Sequence, residues 1–534
     1  MTRHLRYLAF ALVVLGALAL VWAGFTARLG WGWAAAAVAL AALGMRDLIQ
    51  TRHAVLRNYP VIGHLRFLLE RVRPEIRQYF IESDIEAIPF SREQRAMVYQ
   101  RAKQELDKRP FGTQLDVYAP GFEWINHAIV PGRPAGEDFR TVIGGPACTQ
   151  PYQASVFNIS AMSFGSLSAN AILALNRGAR LGGFAHDTGE GSISVHHRVH
   201  GGDLIWEIGS GYFGCRDADG RFDEAAFTRN AREPQVKMIE LKLSQGAKPG
   251  HGGVLPGPKV TPEIAQARGV PVWTDCISPA AHSAFDTPIG LLAFIARLRT
   301  LSGGKPTGFK LAIGHPWEWF AIAKAMLETG ITPDFIVIDG KEGGTGAAPA
   351  EFLDRVGMPM RDGLMLVHDT LVGAGLRERI RLGAAGRIVS AFDIARTMAL
   401  GADWCNSARG FMFALGCIQA QSCHTGTCPT GVTTQDPLRQ RALVVPDKAQ
   451  RVHAFHGNTL RALAELVAAA GLDHPAQIAP RHILRRISST EVRSLAELHE
   501  FLAPGELLAG EPRQAVFRQF WAAARPDRFG LQAA

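Results

Sequence analysis

The strongest constraint on this chain is an alternation that begins near residue 154. Eight short apolar runs recur: ASVFNIS, GGFAHD, VKMIELKL, PVWTD, GFKLAIG, DFIVIDG, IRLGAA and DWCNSA. Amphipathic stretches at 167–180, 289–300, 316–328 and 391–400 lie between several of them. Short β runs separated by helical spacing read as β-then-α units, and eight units predict a closed (β/α)8 barrel of the α/β class. A doubly wound sheet would want a G-x-G-x-x-G turn after the first strand, and none follows it.

Such a barrel works at the C-terminal ends of its strands. There the first run leads into SAMSFGSLS, the second into HDTGEGS and the third into LSQGAKPGHGGVLPG. The fifth ends at Lys310, the sixth leads into DGKEGGTGAAP and the eighth ends in NSARG. Glycines, small hydroxyls and lysines thus gather at one rim, where freed backbone N–H groups make an anion nest. GAAGR and NSARG follow the seventh and eighth runs, the places where barrels often hold a phosphate.

A second feature lies beyond the last run, in GCIQAQSCHTGTCPTG. Cys417, Cys423 and Cys428 follow a C-x5-C-x4-C spacing. A zinc site takes four ligands and a disulfide takes two, so three thiolates in one loop suit a group that takes three. Zinc with His424 as fourth ligand, or three packed thiols, remain alternatives. The other four cysteines, Cys148, Cys215, Cys276 and Cys405, are scattered, which is no disulfide framework.

The chain starts with two uncharged runs, 7–27 and 29–45, separated by Arg28. A helix of about 20 residues crosses the hydrocarbon layer, so a helical hairpin turning at Arg28 is expected. Arg3 and Arg6 precede it and Arg46, Arg52 and Arg57 follow it, which puts both ends in the cytoplasm, the hairpin in the inner membrane and the catalytic domain on the cytoplasmic side. A cleaved signal peptide is the alternative, but it would export a thiolate site to an oxidising compartment. Net charge is +9, which suits a solvated basic surface or an anionic membrane face. No basic-aromatic module or zinc-finger spacing points to nucleic acid. The expected organisation is a transmembrane hairpin at 1–49, a mainly helical lead-in at 50–150, the barrel with its cysteine loop at 151–440 and a helical extension at 441–534 packed outside the barrel.

Three stretches taken together carry a family resemblance: LSQGAKPGHGGVLPGPKVTPEIAQARG, DGKEGGTGAAP and GCIQAQSCHTGTCPTGVTTQ. From about 154 to 440 the chain resembles the FMN-binding synthase domain of glutamate synthase. As a whole it resembles stand-alone bacterial proteins of the FMN-binding glutamate synthase family. The resemblance implies FMN across the barrel mouth and a [3Fe-4S] cluster on Cys417, Cys423 and Cys428. It places Met162, Ser163 and Gln245 beside the flavin ring and Lys310 near its N1/O2 edge, where a cation stabilises the reduced form. Gly343, Gly344, Thr345, Gly386, Arg409 and Gly410 match the phosphate cradle. Lys248 and Arg268 match cations that hold the carboxylates of 2-oxoglutarate, and Glu190 matches a carboxylate at the point of ammonia entry, where a general acid would serve.

Departures from the family pattern also matter. His251 and Val254 stand where the family has glutamate and glutamine, and Arg387 replaces the second of two glycines after the seventh strand. The chain starts Met1-Thr2-Arg3, without the N-terminal cysteine of a glutaminase domain, and carries no nicotinamide-binding motif. Ammonia or another amine, and electrons from a ferredoxin, a flavoprotein or a membrane carrier, are therefore expected from outside. Reduction of a 2-oxo acid imine, 2-iminoglutarate giving L-glutamate, is the leading reading. A substituted amine as co-substrate and a membrane electron relay without amino-acid chemistry are its rivals.

Overall fold

The computed structural model describes residues 6–26, 31–86, 88–510 and 512–531. Arg3 and the expected turn at Arg28 lie outside the described residues. The chain divides into two compact units, Met1–Arg92 and Glu93–Ala534.

In the first unit, helices Leu8–Thr26 and Trp31–Ile49 are each long and apolar enough to cross a membrane. They pack closely: a Cβ on Gly44 would lie 2.3 Å from the Phe10 ring. Asp47, near the end of the second helix, is buried and takes hydrogen bonds from the Val61 amide (3.0 Å) and the His64 imidazole. It thereby ties the second helix to the start of helix Gly63–Ile76.

The second unit is built on a closed eight-stranded parallel barrel. Its strands are β1 Phe157–Ile159, β2 His186–Asp187, β3 Leu204–Ile208, β4 Val236–Lys242, β5 Thr307–Leu311, β6 Phe335–Asp339, β7 Arg381–Ala385 and β8 Trp404–Ser407. Seven of these fall in the expected runs. The correction concerns the remaining one. PVWTD is not a strand: Trp273 sits at φ +58 and is 60% exposed, in a turn outside the barrel. The missing strand is LIWEI, fully buried on both faces. VKMIELKL is therefore the fourth strand, not the third.

Side chains alternate along each strand, so every second residue points inward. Low in the barrel these are Ala185, Ile205, Met238, Phe335, Val337 and Trp404, one apolar cluster. The antiparallel pair Arg140–Ile143 and Tyr152–Ser155 closes that end, with Ile143 and Ala154 packed into the same cluster. Gly383 leaves room for the Trp404 indole, which a Cβ there would approach to 2.4 Å. Two residues further along the same inward files come Asp187, Glu207, Glu240 and Asp339. The floor of the barrel is apolar and its mouth is charged.

The long helix Val445–Ala469 packs against Ala169–Gly182, Ala391–Ala399 and Arg409–Leu415, within the outer helical ring. The tail differs from the helices expected there. Ile483–Arg486 and Val492–Ser494 form a hairpin, and Ile483–Arg486 also pairs with Glu123–Ile125. Partner strands far away in sequence outweigh the local helical spacing. The lead-in is helical only as far as Lys103; irregular chain and short strands follow.

Asp334, just before β6, ties this frame together. It is 1% exposed and accepts from the amides of Gly145 (2.7 Å) and Thr307 (2.7 Å) and from Arg299 Nε (2.8 Å). Asp334→Ala takes the carboxylate partner from a buried guanidinium and the acceptor from two amides, with an expected loss of about 3–5 kcal/mol. Urea melts should show a lower midpoint at unchanged slope.

Candidate active site

Lys310, fourth of the five residues of β5, ends among carboxylates. Its ammonium pairs with Glu207 and lies 3.5 Å from Glu240. Carboxylate oxygens of Asp187, Glu207 and Glu240 all lie within 4.8 Å of one another. These groups are at most 4% exposed. Burial, and then Glu207, push the Asp187 carboxyl up to about 7; burial and Asp187 push Glu240 well above its ordinary value. Burial opposes the Lys310 charge, but Glu207, Glu240 and Asp187 outweigh it and hold the ammonium protonated. One lysine thus faces several carboxyls, and the cluster retains protons near neutral pH.

A second group forms in the loops above. Glu190 Oε2 accepts from Lys242 Nζ at 3.0 Å, and Lys242 also donates to Gln245 Oε1. Burial penalises the Glu190 charge, but Lys242, Arg268 and Lys248 together hold its carboxyl down at about 2. Lys248 donates to the Gly252 carbonyl (2.9 Å), and burial lowers its pKa. Arg268 donates to the Phe164 carbonyl (3.1 Å) and lies over the Phe213 ring at 5.2 Å. Three buried or largely buried cations therefore surround one carboxylate. Glu190, Lys248, Arg268 and Gln245, chosen from the sequence, come together. Lys242 was missed, although it ends the neighbouring barrel strand directly opposite Lys310.

Close backbone contacts set these loops. A Cβ on Gly189 would lie 2.6 Å from the Ser163 amide, so the loop bearing Met162 and Ser163 rests directly on the loop bearing Glu190. Gly246 gives its amide to Asp339 (2.9 Å), and a Cβ there would lie 1.7 Å from the Gly340 carbonyl.

Across the rim, Gly343, Gly344 and Thr345 follow β6, Gly386 follows β7, and Arg409 and Gly410 follow β8. The Arg409 guanidinium lies 3.2 Å from the position of a Gly344 Cβ and donates to the Glu342 carbonyl. Burial and the neighbouring Arg387 lower it to about 10. Two guanidiniums beside exposed glycine backbone fit the phosphate of a flavin nucleotide. Arg387, at φ +55, puts a guanidinium where the family pattern has a second glycine.

The cysteine loop lies against this rim: a Cβ on Gly346 would be 3.4 Å from Cys423 Cβ. The three thiols interact electrostatically, since Cys423 and Cys428 both raise Cys417, which burial pushes up to about 12. Burial opposes the Cys428 thiolate, but hydrogen bonds from Thr430 and Thr433 bring it to about 7. Gly416, Gln419, Gln421, Gly426 and Gly431 all have positive φ, so the backbone wraps around the thiols. The Gln419 amide points at Cys417 Sγ (3.4 Å), and Tyr99 and Lys259 donate to the carbonyls of Cys417 (2.6 Å) and Cys423 (2.7 Å). Interacting thiols with N–H and O–H donors to sulfur fit the ligand set of an iron-sulfur cluster.

Fold and rim together define a (β/α)8 barrel whose rim loops gather three cations around a buried carboxylate. The conserved region of glutamate synthase matches residues 146–473, and the chain belongs to the glutamate synthase family, oxidoreductases acting on CH–NH2 donors. It is 38% identical over 501 residues to the glutamate synthase large subunit-like protein YerD of Bacillus subtilis (strain 168), covering 86% of this chain and 95% of that protein. It is 38% identical over 306 residues to the archaeal-type glutamate synthase (NADPH) of Thermotoga maritima, covering 57% of this chain and 56% of the relative. The chain thus spans about half the length of that relative. A solved mandelate oxidase structure aligns at a TM-score of 0.40 and 15% identity, over 75% of this chain and 98% of that one.

The folded pKa of Asp187, about 7, lies above its ordinary 3.8. The folded state therefore binds the proton more tightly, and this contribution to stability is full below the ordinary value and lost as pH rises through about 7. Asp187→Asn should flatten that part of the pH dependence. Urea melts of both proteins at pH values on either side of that window measure it.

Proposed function

We propose that this chain is a membrane-tethered glutamate synthase-type oxidoreductase that reduces the imine of a 2-oxo acid, 2-iminoglutarate first among them, to the amino acid. FMN and a [3Fe-4S] cluster are its cofactors, supplying hydride transfer and one-electron passage respectively when bound. The observation that carries the substrate assignment is the charge balance at Glu190. Lys242, Lys248 and Arg268 exceed it by two positive charges, which matches the two carboxylates of 2-oxoglutarate.

Arg268 and Lys248 would hold the carboxylates, and Lys242 would keep Glu190 in place. With its carboxyl near 2, Glu190 remains an anion at neutral pH. Its part is then to attract ammonium rather than to donate a proton. Lys248, whose ammonium is weakened by burial, is the better acid beside the imine. Lys310 would present its charge to the flavin, and Gly343, Gly344, Thr345, Gly386, Arg409 and Gly410, with Arg387, would hold the phosphate. Met162, Ser163 and Gln245 would line the ring. Cys417, Cys423 and Cys428 would hold the cluster next to Gly346, on the side of the flavin loop. Ammonia and electrons come from outside, the latter from a ferredoxin, flavoprotein or membrane carrier.

The two apolar helices support a membrane anchor; the arginines flanking them in the sequence are the reason to read it as the cytoplasmic membrane with the barrel on the cytoplasmic side. Helix Gly63–Ile76 adds to this. It exposes Leu65, Leu68, Leu69, Val72 and Ile76 and carries Arg66, Arg71 and Arg73, the pattern of a helix lying among anionic headgroups.

A substituted amine is the second reading. The ring of His251 stands edge-on to Phe352 at 5.5 Å, next to the Gly252 carbonyl that holds Lys248, and this pair would suit an apolar substituent. Activity with ammonium alone in an amine screen would remove that reading.

The anaerobic, photoreduced protein should have its flavin reoxidised only when 2-oxoglutarate and ammonium are both present, with glutamate formed. A flavin that stays reduced would rule out the glutamate version. Arg268→Met should reduce this reoxidation by about a hundredfold, by loss of a charged hydrogen-bonding partner. Replacing Cys423 by serine should lower the iron content while FMN remains bound.

A further inference from the structure

Away from the barrel mouth, four arginines line a cavity of about 430 Å3. Arg361 opens helix Met360–Gly373, Arg396 lies in helix Ala391–Ala399, and Arg485 and Arg486 end the strand Ile483–Arg486. Glu123, 6% exposed at its side chain, is the only acid in the lining. Its Oε1 accepts from Arg361 Nη1 (2.9 Å) and from Arg485 Nε (2.9 Å) and Nη2 (2.6 Å), and its Oε2 from Arg396 Nη1 (2.9 Å). Arg396 Nη2 also bonds to Asp393 (3.0 Å). Even with Asp393 counted, two positive charges exceed the acids.

Burial, and then the neighbouring Arg396, lower the Arg361 pKa, so the cations crowd one another. Arg396 Nε is buried without a partner, and Arg361 Nη2 and Arg485 Nη1 make no hydrogen bond among the described residues. Gly121, at φ +88, gives its amide to the Arg486 carbonyl (2.8 Å) and leaves the wall open there. Arg486 itself lies over the rings of Tyr118 (5.3 Å) and Trp124 (5.9 Å), which hold its guanidinium at the rim. Four separate parts of the chain converge on this one cavity, and a single glutamate fixes the forks of three arginines.

We propose that this cavity is a second anion site, separate from the barrel mouth, which binds a doubly charged oxyanion of the phosphate class in the arginine forks above Glu123. Guanidinium pairs bind such anions in bidentate fashion, and a partly buried setting limits screening by salt. The site bears on the mouth by geometry. Met360, next to Arg361, donates its amide to Glu342 (2.9 Å) and would lie 2.6 Å from a Cβ on Gly386.

The test is calorimetric titration of the full-length, FMN-loaded protein in detergent with inorganic phosphate, against chloride at equal ionic strength. Loading with FMN removes the mouth as a competing phosphate site. One saturable phosphate site per chain is expected. Arg361→Gln with Arg485→Gln should weaken it by about tenfold or more, and Glu123→Gln, which raises the positive excess, should tighten it by a similar factor. Thermal melts of each variant establish that the barrel is intact. No saturable binding in the parent protein, or an affinity unmoved by Glu123→Gln, would overturn the proposal.

Discussion

The structure depends on how one lysine is kept charged in the middle of a barrel. Lys310 is 4% exposed, and an ammonium so placed is tolerable only beside negative partners. Glu207, Glu240 and Asp187 provide them from three neighbouring strands, and Asp339 adds to their field. The carboxyls in turn depend on the lysine, since they lie too close together for all to ionise. This mutual need divides the barrel interior into an apolar floor and a charged mouth. It also sets the height at which a flavin ring could meet a cation.

Around that layer the loops are positioned mostly by backbone. Gly189 rests on Ser163 and Gly246 on Gly340, at separations no side chain would allow. Such contacts hold Glu190 and Gln245 within reach of Lys242. The cysteine loop joins the same assembly through Gly346, and Lys259 and Tyr99 grip its carbonyls. A cluster there and a flavin at the rim would be neighbours, which is what electron passage between them requires.

Much of the barrel could be read from the alternation of apolar runs, because a strand buried on both faces must be apolar throughout. The same reasoning explains the error at the third strand. LIWEI carries Glu207, fourth of its five residues, and the burial of that acid depends on Lys310, which comes from another strand. PVWTD is an apolar run of similar length, yet its tryptophan belongs to a turn. The tail failed for a related reason: Ile483–Arg486 becomes a strand only because Glu123–Ile125, far away in sequence, lies beside it. Of the site, the glycines, Lys248, Arg268 and the cysteines could be found as motifs. Lys242 could have been found by applying to the fourth strand the rule that selected Lys310. Glu207 and Glu240 could not, since nothing local says that they face the same lysine.

By itself the sequence determined the class of fold, the helical start, the residue types at the rim and the spacing of the three thiols. These follow from periodicity and from chemistry that a few adjacent residues carry. Tertiary structure alone decided the charge states. Whether Glu190 is an acid or an anion, whether Asp187 keeps its proton and whether the arginines near Glu123 leave positive charge unmatched all depend on groups brought together from distant strands and helices. Electrostatic energy depends on separation and burial, and neither can be read from order along the chain.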